Sequence, residues 1–108
     1  MSRSAANTPR IVRSASARQD LSDIYQHLAR EAGPDVADSV LARISTAIDR
    51  AAGRPLAYAR RIEYVGAPRR INVFRYAIFF DRLREEDGIY IWRIVHDGRD
   101  LTREIERP

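Results

Sequence analysis

The sequence contains no cysteine and no lysine, and it has two histidines, at positions 27 and 96. Without cysteine, the chain has no disulfide, no thiolate nucleophile and no cysteine-ligated metal site. Two histidines so far apart do not suggest a zinc site either. Without lysine, all nineteen basic side chains are arginines, which stay protonated and cannot accept a proton. We therefore expect neither a cofactor nor a metal.

Long apolar runs are also missing, because no stretch approaches the roughly twenty residues of a membrane-spanning helix. Residues 1–9 lack the apolar segment of a secretory signal, so we expect them to form a flexible tail. Residues 10–108 are long enough for a single domain with one modest core. We expect no membrane association and a cytoplasmic location.

The residues that are present make a basic chain of ordinary hydrophobicity. The net charge is +4, and 44% of the residues are hydrophobic. Such a composition is typical of a folded protein. The arginines favour an acidic partner, either a nucleic acid or an acidic peptide.

The first half of the chain predicts one strand and two helices. Arg10–Ser14 fits a short strand, and Ser16–Gln19 has the capping-box pattern that starts a helix. The first helix then carries one apolar stripe formed by Leu21, Ile24, Tyr25, Leu28, Ala29 and Ala32. Gly33 is suited to end this helix and Pro34 to begin the next.

The second helix carries a similar stripe, and Gly53 and Pro55 are expected to end it. The stripe is formed by Ala37, Val40, Leu41, Ile44, Ala47, Ile48 and Ala51. Because the turn between the helices is so short, they should pack antiparallel as an αα-hairpin.

The second half of the chain predicts strands. Residues 54–69 read as a connector with a strand-like piece at Arg60–Val65. Three β-rich runs follow, at Arg69–Phe74, Tyr76–Leu83 and Ile89–Val95, with Asp87-Gly88 supplying turn chemistry between the last two. Residues 100–106 look like a short closing helix. The predicted fold class is α+β: one strand, an αα-hairpin, then a three-stranded antiparallel sheet with a short C-terminal helix.

Both faces of the last strand are largely apolar. Strict alternation puts Ile89, Ile91, Arg93 and Val95 on one face and Tyr90, Trp92, Ile94 and His96 on the other. One face should cover the helices, and we expect the other to be a partly exposed partner surface. We also expect Trp92 to be a core residue and His27 to lie on a helix surface.

Several fragments together resemble the RelE/ParE toxin superfamily, and its ParE branch more closely. They are Asp20–Tyr25, Pro34 with Ala37, Arg70, Tyr76–Phe80, Ile91–His96 and Arg99–Leu101. The resemblance spans roughly residues 14–105. It implies a plasmid-stabilising toxin of a type II toxin–antitoxin system that inhibits DNA gyrase and blocks replication. It also implies a hetero-oligomer with a ParD-like antitoxin whose C-terminal segment wraps the toxin.

The two branches of the superfamily differ in chemistry, since RelE-like members cleave mRNA. Attack by a 2′-hydroxyl needs a proton acceptor, a proton donor and cationic stabilisation. In a ribonuclease reading, His96, Arg93 and Arg75 would be the catalytic residues. We expect instead that His96 bonds a backbone carbonyl and fixes the turn after the last strand, because the other proton-transfer groups are few. Residues 97–108 also lack the tyrosine that ribonuclease members tend to carry.

The sequence therefore favours a non-catalytic toxin whose arginines contact partners. The expected partner-binding residues are Arg70, Arg75, Arg93, His96, Arg99 and Asp100. Two alternatives stay open: an mRNA endoribonuclease, and a non-toxic module of the same fold that only forms complexes. Direct nucleic-acid contact through the Arg60-Arg61 and Arg69-Arg70 pairs is a secondary expectation, since such pairs are often simply solvated.

Overall fold

The computed structural model describes residues 8–98, 105, 107 and 108. The elements run in the order strand, two helices, three strands. They are β1 (Arg10–Arg13), α1 (Ala15–Ala32), α2 (Pro34–Gly53), β2 (Arg69–Val73), β3 (Tyr76–Arg82) and β4 (Gly88–His96). The α+β class predicted from the sequence is confirmed. The predicted C-terminal helix and nearly all of the expected N-terminal tail lie outside the described residues.

The four strands form one sheet in the order β1-β4-β3-β2. β2, β3 and β4 are antiparallel neighbours, and β1 joins the far side of β4 in parallel. Gly88 makes this parallel pairing possible, because a Cβ there would lie 1.9 Å from the backbone oxygen of Arg10. β1 and β2 are therefore the two edge strands of the sheet.

The first helix begins earlier than predicted, with its N-cap two residues before Ser16. Its N-cap is Ser14, whose hydroxyl accepts a hydrogen bond from the Ala17 amide at 2.9 Å. The same hydroxyl donates to the Trp92 carbonyl at 2.7 Å, which ties the helix start to β4. The prediction of Ser16 as the N-cap was wrong, because Ser14 is buried and its hydroxyl makes hydrogen bonds to both the Ala17 amide and the Trp92 carbonyl.

The helix boundaries around Gly33 follow the sequence. Gly33 has φ +99°, and its amide donates to the carbonyls of Leu28 and Ala29, so it ends α1 as predicted. Pro34 begins α2, where a missing backbone N–H costs nothing. The two helices pack on each other and, together, on one face of the sheet.

The main core lies between the helices and the sheet, and the α2 stripe is buried largely as predicted. On α1 the stripe is narrower than predicted, because Tyr25 is 37% exposed. The larger buried side chains of this core are Ile24, Val40, Ile44, Ile48, Ile71, Val73, Tyr76, Ile78, Phe80, Ile89, Ile91 and Ile94. Each buried aliphatic side chain contributes about 1.5–3 kcal/mol relative to an exposed one.

The opposite face of the sheet is also buried, so the expectation of a partly exposed apolar face was wrong. Trp92 and Phe79 have no exposed surface there, which confirms Trp92 as a core residue. Tyr64, from the connector before β2, and Ile105 cover them in a second cluster. The Tyr64 and Phe79 rings meet edge to face at 4.7 Å.

The predicted alternation of side chains between the two faces of β4 was also wrong, because β4 has a bulge opposite Phe79 and Phe80 of β3. Phe79 pairs with Arg93 and Phe80 with Ile91, so Trp92 is the extra residue. Beyond the bulge the faces exchange: Ile94 joins Ile89 and Ile91 in the main core, and Val95 joins Trp92 in the second cluster. No sequence rule places a bulge inside a continuous apolar run.

The connector is not a strand at Arg60–Val65. It contains a short 3-10 turn at Pro55–Ala57 and one isolated bridge between Arg60 and Arg69. Its apolar side chains divide sharply, since Tyr64 is buried whereas Leu56, Ile62 and Val65 are 65%, 87% and 72% exposed. The connector therefore acts as a cover for the second core and also presents aliphatic side chains to solvent.

Candidate partner interface

The turn between β2 and β3 presents the most exposed aromatic side chain among the described residues. Phe74 is 53% exposed and has φ +55°, a conformation that bulky residues rarely adopt. The guanidinium of Arg43, on α2, lies 5.3 Å from the centre of its ring, and that of Arg75 lies 5.7 Å away. An exposed aromatic ring that lies between two cations and is carried by a strained backbone is typical of a contact site.

His96 lies beside this turn because it pairs with Tyr76 across β3 and β4. Its ring meets the Tyr76 ring edge to face at 5.8 Å. The backbone is tied here as well, since the Asp97 amide donates to the Arg75 carbonyl at 2.9 Å. Arg43, Phe74, Arg75 and His96 thus form one surface at this end of the sheet, called here the hairpin-end surface.

The hydrogen bond of His96 differs from the predicted one. Its Nδ1 accepts from the Gly98 amide at 3.2 Å, rather than donating to a carbonyl. The ring does hold the turn after β4, as expected. In this arrangement Nδ1 is used as a hydrogen-bond acceptor within the turn, and the side chain as a whole is exposed.

Tyr76 is the nearest second proton-transfer group, and its environment favours the neutral form of its hydroxyl. The residue is 6% exposed, and burial raises the pKa of its hydroxyl, although the Arg75 charge opposes part of that rise. A phenol with a raised pKa stays protonated at neutral pH. Around His96, the described residues therefore offer one exposed imidazole, a protonated phenol and permanently charged arginines.

A groove continues from Phe74 between α2 and the open edge of β2. Its volume is about 550 Å³, and Arg43, Arg50 and Ser39 line its helix side. Asn72 and Phe74 line its strand side. No carboxylate lines it, so its charge is positive among the described residues. We call it the α2–β2 groove.

The edge of β2 beside this groove lacks a strand partner over most of its length. The isolated bridge to Arg60 covers only its first residue, Arg69, among the described parts of the chain. An uncovered edge strand can accept an additional strand from another chain. The groove thus combines free backbone edge, cationic side chains and one exposed aromatic ring.

Arg93, a predicted contact residue, forms an ion pair within the fold. Its Nε and Nη2 donate to the two carboxylate oxygens of Asp20 at 2.7 and 3.0 Å. Asp20 Oδ2 also accepts from the Ile94 amide at 2.9 Å, next to the bulge. With side chains 31% and 12% exposed, this pair joins α1 to β4. Asp20 appeared in the resemblance, but its partner could not be named from the sequence.

Arg70 lies on the opposite face of the sheet from the helices. It donates to Asn72 Oδ1 at 2.8 Å and to the Tyr64 hydroxyl at 2.9 Å, with its guanidinium 5.4 Å from the centre of the Phe79 ring. These contacts hold the connector over the second core. Of the predicted residues, only Arg75 and His96 come together, while Arg99 and Asp100 lie outside the described residues.

Sequence reasoning missed Phe74 and Arg43. Phe74 read as the end of a β-rich run, where an aromatic residue is ordinary. Its positive φ and its exposure depend on the two-residue turn that it opens. Arg43 read as one helix-surface arginine among several, and only packing places it against Phe74. His27 is exposed on α1, as predicted.

Comparison with known proteins supplies the family. A family model described as the ParE toxin of the type II toxin–antitoxin system parDE matches residues 11–101. The chain belongs to the ParE toxin family. A solved structure titled as the chromosomal ParDE toxin–antitoxin system from P. aeruginosa has a similar fold, with a TM-score of 0.69 and 22% sequence identity. The similarity covers 82% of this chain and 96% of that one. No curated protein sequence matches significantly.

None of the helices in the described part of this ParE-family chain is long and apolar enough to cross a bilayer. Within the same residues, no group of three or more histidine, aspartate or glutamate side chains is placed to hold a metal ion.

Proposed function

We propose that this ParE-type toxin inhibits DNA gyrase through protein contacts at the hairpin-end surface and is neutralised by a cognate ParD-like antitoxin. The family match over residues 11–101 is the observation that carries the proposal. It makes the chain a toxin of a type II toxin–antitoxin system. The target and the antitoxin are the steps that the proposal adds.

The chemistry around His96 favours inhibition over RNA cleavage. A nuclease needs both a proton acceptor and a proton donor placed on the reacting atoms. His96 supplies one such group, but the nearest phenol, Tyr76, is 6% exposed and packed edge to face on the His96 ring, and burial raises its pKa, so its hydroxyl is poorly placed to exchange a proton with a bound RNA. Arginine contributes charge stabilisation alone. The residues of this surface are therefore better suited to binding a partner than to catalysing RNA cleavage.

Phe74 and Arg75 are the expected anchors for gyrase. Exposed aromatic and arginine side chains dominate the binding energy of many interfaces, and truncating one such anchor commonly costs 1–2 kcal/mol or more. The turn that carries them is held by β3, by β4 and by the Asp97–Arg75 backbone bond. A preordered anchor loses less conformational freedom when it binds.

The α2–β2 groove is the expected site of the antitoxin. An acidic segment could add as a strand at the β2 edge and place carboxylates on Arg43 and Arg50. Because the groove reaches Phe74, an antitoxin bound there would cover part of the hairpin-end surface. That overlap would explain neutralisation as direct competition with gyrase for the same residues.

The first experiment measures gyrase supercoiling with the purified full-length toxin and its Phe74→Ala and Arg75→Ala variants. We expect the unaltered chain to inhibit supercoiling and trap cleaved DNA, and each variant to need about tenfold more protein, from the loss of roughly 1.4 kcal/mol of contact. Arg18→Ala, on the exposed surface of α1, is the matched control and should inhibit normally.

The alternatives give different results. Cleavage of ribosome-bound mRNA by the pure protein, abolished by His96→Ala, would establish the endoribonuclease reading and overturn the inhibitor proposal. In cells without antitoxin, filamentation with DNA damage is the expected phenotype. Rapid loss of translation would favour RNA cleavage, and unaltered growth would favour a non-toxic complex-forming module.

A second experiment tests the antitoxin site by coexpressing the toxin with the antitoxin encoded beside it. The Arg43→Glu/Arg50→Glu double variant should escape capture, because its new carboxylates repel the acidic segment. Arg18→Glu/Arg30→Glu changes the same charge on α1 and should still be captured. Equal capture of both double variants would show that the antitoxin does not use the groove.

A further inference from the structure

We propose that four arginines at the opposite end of the sheet bind the phosphate backbone of duplex DNA, independently of gyrase. They are Arg60, Arg82, Arg84 and Arg107, called here the arginine cluster. Arg82 lies seven residues along the chain from Arg75 of the hairpin-end surface, at the other end of β3, which corresponds to about 23 Å at 3.3 Å per residue. The cluster is therefore a separate site from the one described above.

The arginine cluster surrounds two adjoining hollows. One, of about 410 Å³, is lined by all four arginines together with Gly66 and Asp81. The other, of about 370 Å³, shares Arg82, Arg84 and Arg107 and adds Tyr90 and Pro108. Three shared guanidiniums make these hollows one continuous cationic track.

Most of this charge is not neutralised within the described residues. Asp81 is the one carboxylate side chain that lines either hollow, and it pairs with Arg107 at 3.4 Å. Arg82 and Arg84 have no carboxylate partner in the described part of the chain, since the nearby Glu86 pairs with Arg10 at 3.1 Å. Among the described residues, three net positive charges thus remain around the larger hollow, and the terminal carboxylate of Pro108 offsets one charge at the smaller hollow.

Arg60 makes two hydrogen bonds within the fold and keeps further N–H donors for an anion. Its Nε and Nη2 donate to the carbonyls of Ala67 and Gly66 at 3.1 and 3.3 Å. A guanidinium carries five N–H donors, so donors remain for a ligand, while the two carbonyls fix its plane. A fixed planar fork suits a phosphate oxygen pair.

The composition of the track favours duplex backbone over single-stranded nucleic acid. Proteins that bind single strands combine cationic grooves with exposed aromatic platforms on which bases stack. Here the lining aromatic residue is Tyr90, which is half-buried, and the exposed Phe74 lies at the other end of the sheet. A cationic track without a stacking platform contacts phosphates and does not read sequence.

The test is the salt dependence of duplex DNA binding, measured by fluorescence anisotropy with the full-length protein. Three phosphate contacts predict a slope of log K against log salt of about −2.7, or about a 40-fold weakening between 50 and 200 mM salt. Arg82→Ala/Arg84→Ala should reduce the slope to about −0.9 and the weakening to about 3.5-fold. The loss should be equal for duplexes of unrelated sequence.

Arg18→Ala/Arg30→Ala removes the same charge from α1 and should retain the unaltered slope. Trp92 fluorescence confirms that each variant is folded, because this single tryptophan is fully buried. If both double variants lose the same slope, binding reflects net charge alone and the proposed site is wrong.

Other ligands provide the remaining outcomes. Displacement of DNA by a few millimolar inorganic phosphate, with little salt dependence of the DNA complex, would identify a site for free phosphate and overturn the duplex proposal. Tighter binding of an RNA duplex with the same slope would also overturn it. Because no gyrase is present, each negative result leaves the proposed gyrase inhibition unaffected.

Discussion

Replacing Asp20 with alanine should destabilise this small toxin more than the loss of any exposed ion pair would. The substitution removes three hydrogen bonds at once: two from the Arg93 guanidinium and one from the Ile94 amide. The carboxylate is 12% exposed, so little water can replace it. The bulge makes the loss worse, because the Ile94 amide depends on this carboxylate.

The expected cost can be bounded from the two environments. Removing one partner of a fully buried ion pair costs about 3–5 kcal/mol. Arg93 is 31% exposed and can regain some hydration, so about 3 kcal/mol is expected for Asp20→Ala. The Arg10–Glu86 pair is the matched control, since its side chains are 64% and 51% exposed. Glu86→Ala should cost less than about 1 kcal/mol.

The assay is urea unfolding followed by Trp92 fluorescence, because Trp92 is fully buried beside Arg93. The midpoint should fall for Asp20→Ala with little change in the slope m. The Asp20→Ala/Arg93→Ala double variant should be less destabilised than the sum of the singles by about 1–3 kcal/mol. If Asp20→Ala costs no more than Glu86→Ala, or if the singles are additive, the pair does not join α1 to β4 as described.

Three further predictions use paired variants or one titration. Gly88→Ala should cost at least about 2 kcal/mol in urea unfolding, because its Cβ would clash with the β1 backbone, whereas Gly53→Ala has open space and should gain about 0.4–1 kcal/mol. Ser14→Ala should lower the unfolding free energy by about 1–2 kcal/mol, and Ser16→Ala should leave it unchanged. A larger loss for Ser16→Ala than for Ser14→Ala would show that Ser16 is the N-cap. Burial raises the pKa of Tyr76 above 10.0, so its contribution to stability is present below about pH 10 and is lost as pH rises through the folded-state pKa. Tyr76→Phe should therefore flatten the alkaline fall in urea midpoint, and identical pH profiles would contradict this.

Periodicity was sufficient for most of the fold. The α2 stripe, Gly33 and Pro34 each have a local reason to adopt the observed structure, so the helix boundaries could be read directly. The failures have a different cause. Ser14 displaced Ser16 as the cap because it also bonds the Trp92 carbonyl, a partner 78 residues away. The bulge at Trp92 likewise reflects pairing with β3, which a single strand's pattern does not contain.

The candidate interface was only partly predictable, because residue type does not reveal what an arginine contacts. Arg75 and His96 were expected together, and strand pairing places them together. Arg93 looked equally suitable, yet a carboxylate 73 residues earlier binds it. Phe74 was missed because its exposure depends on the turn geometry rather than on its hydrophobicity.

The arginines of this chain fall into two groups that sequence alone cannot separate. Some are bound by the fold: Arg69 donates to the Tyr58 carbonyl at 2.6 Å, Arg70 to the Tyr64 hydroxyl, and Arg93 to Asp20. Others, namely Arg75, Arg82 and Arg84, have no carboxylate partner among the described residues. Among the described residues, no carboxylate lines the α2–β2 groove, and Asp81 is the one carboxylate side chain that lines the hollows of the arginine cluster, so arginines outnumber carboxylates at both places. A protein partner at one end and a phosphate backbone at the other would each meet concentrated charge without competing for the same residues.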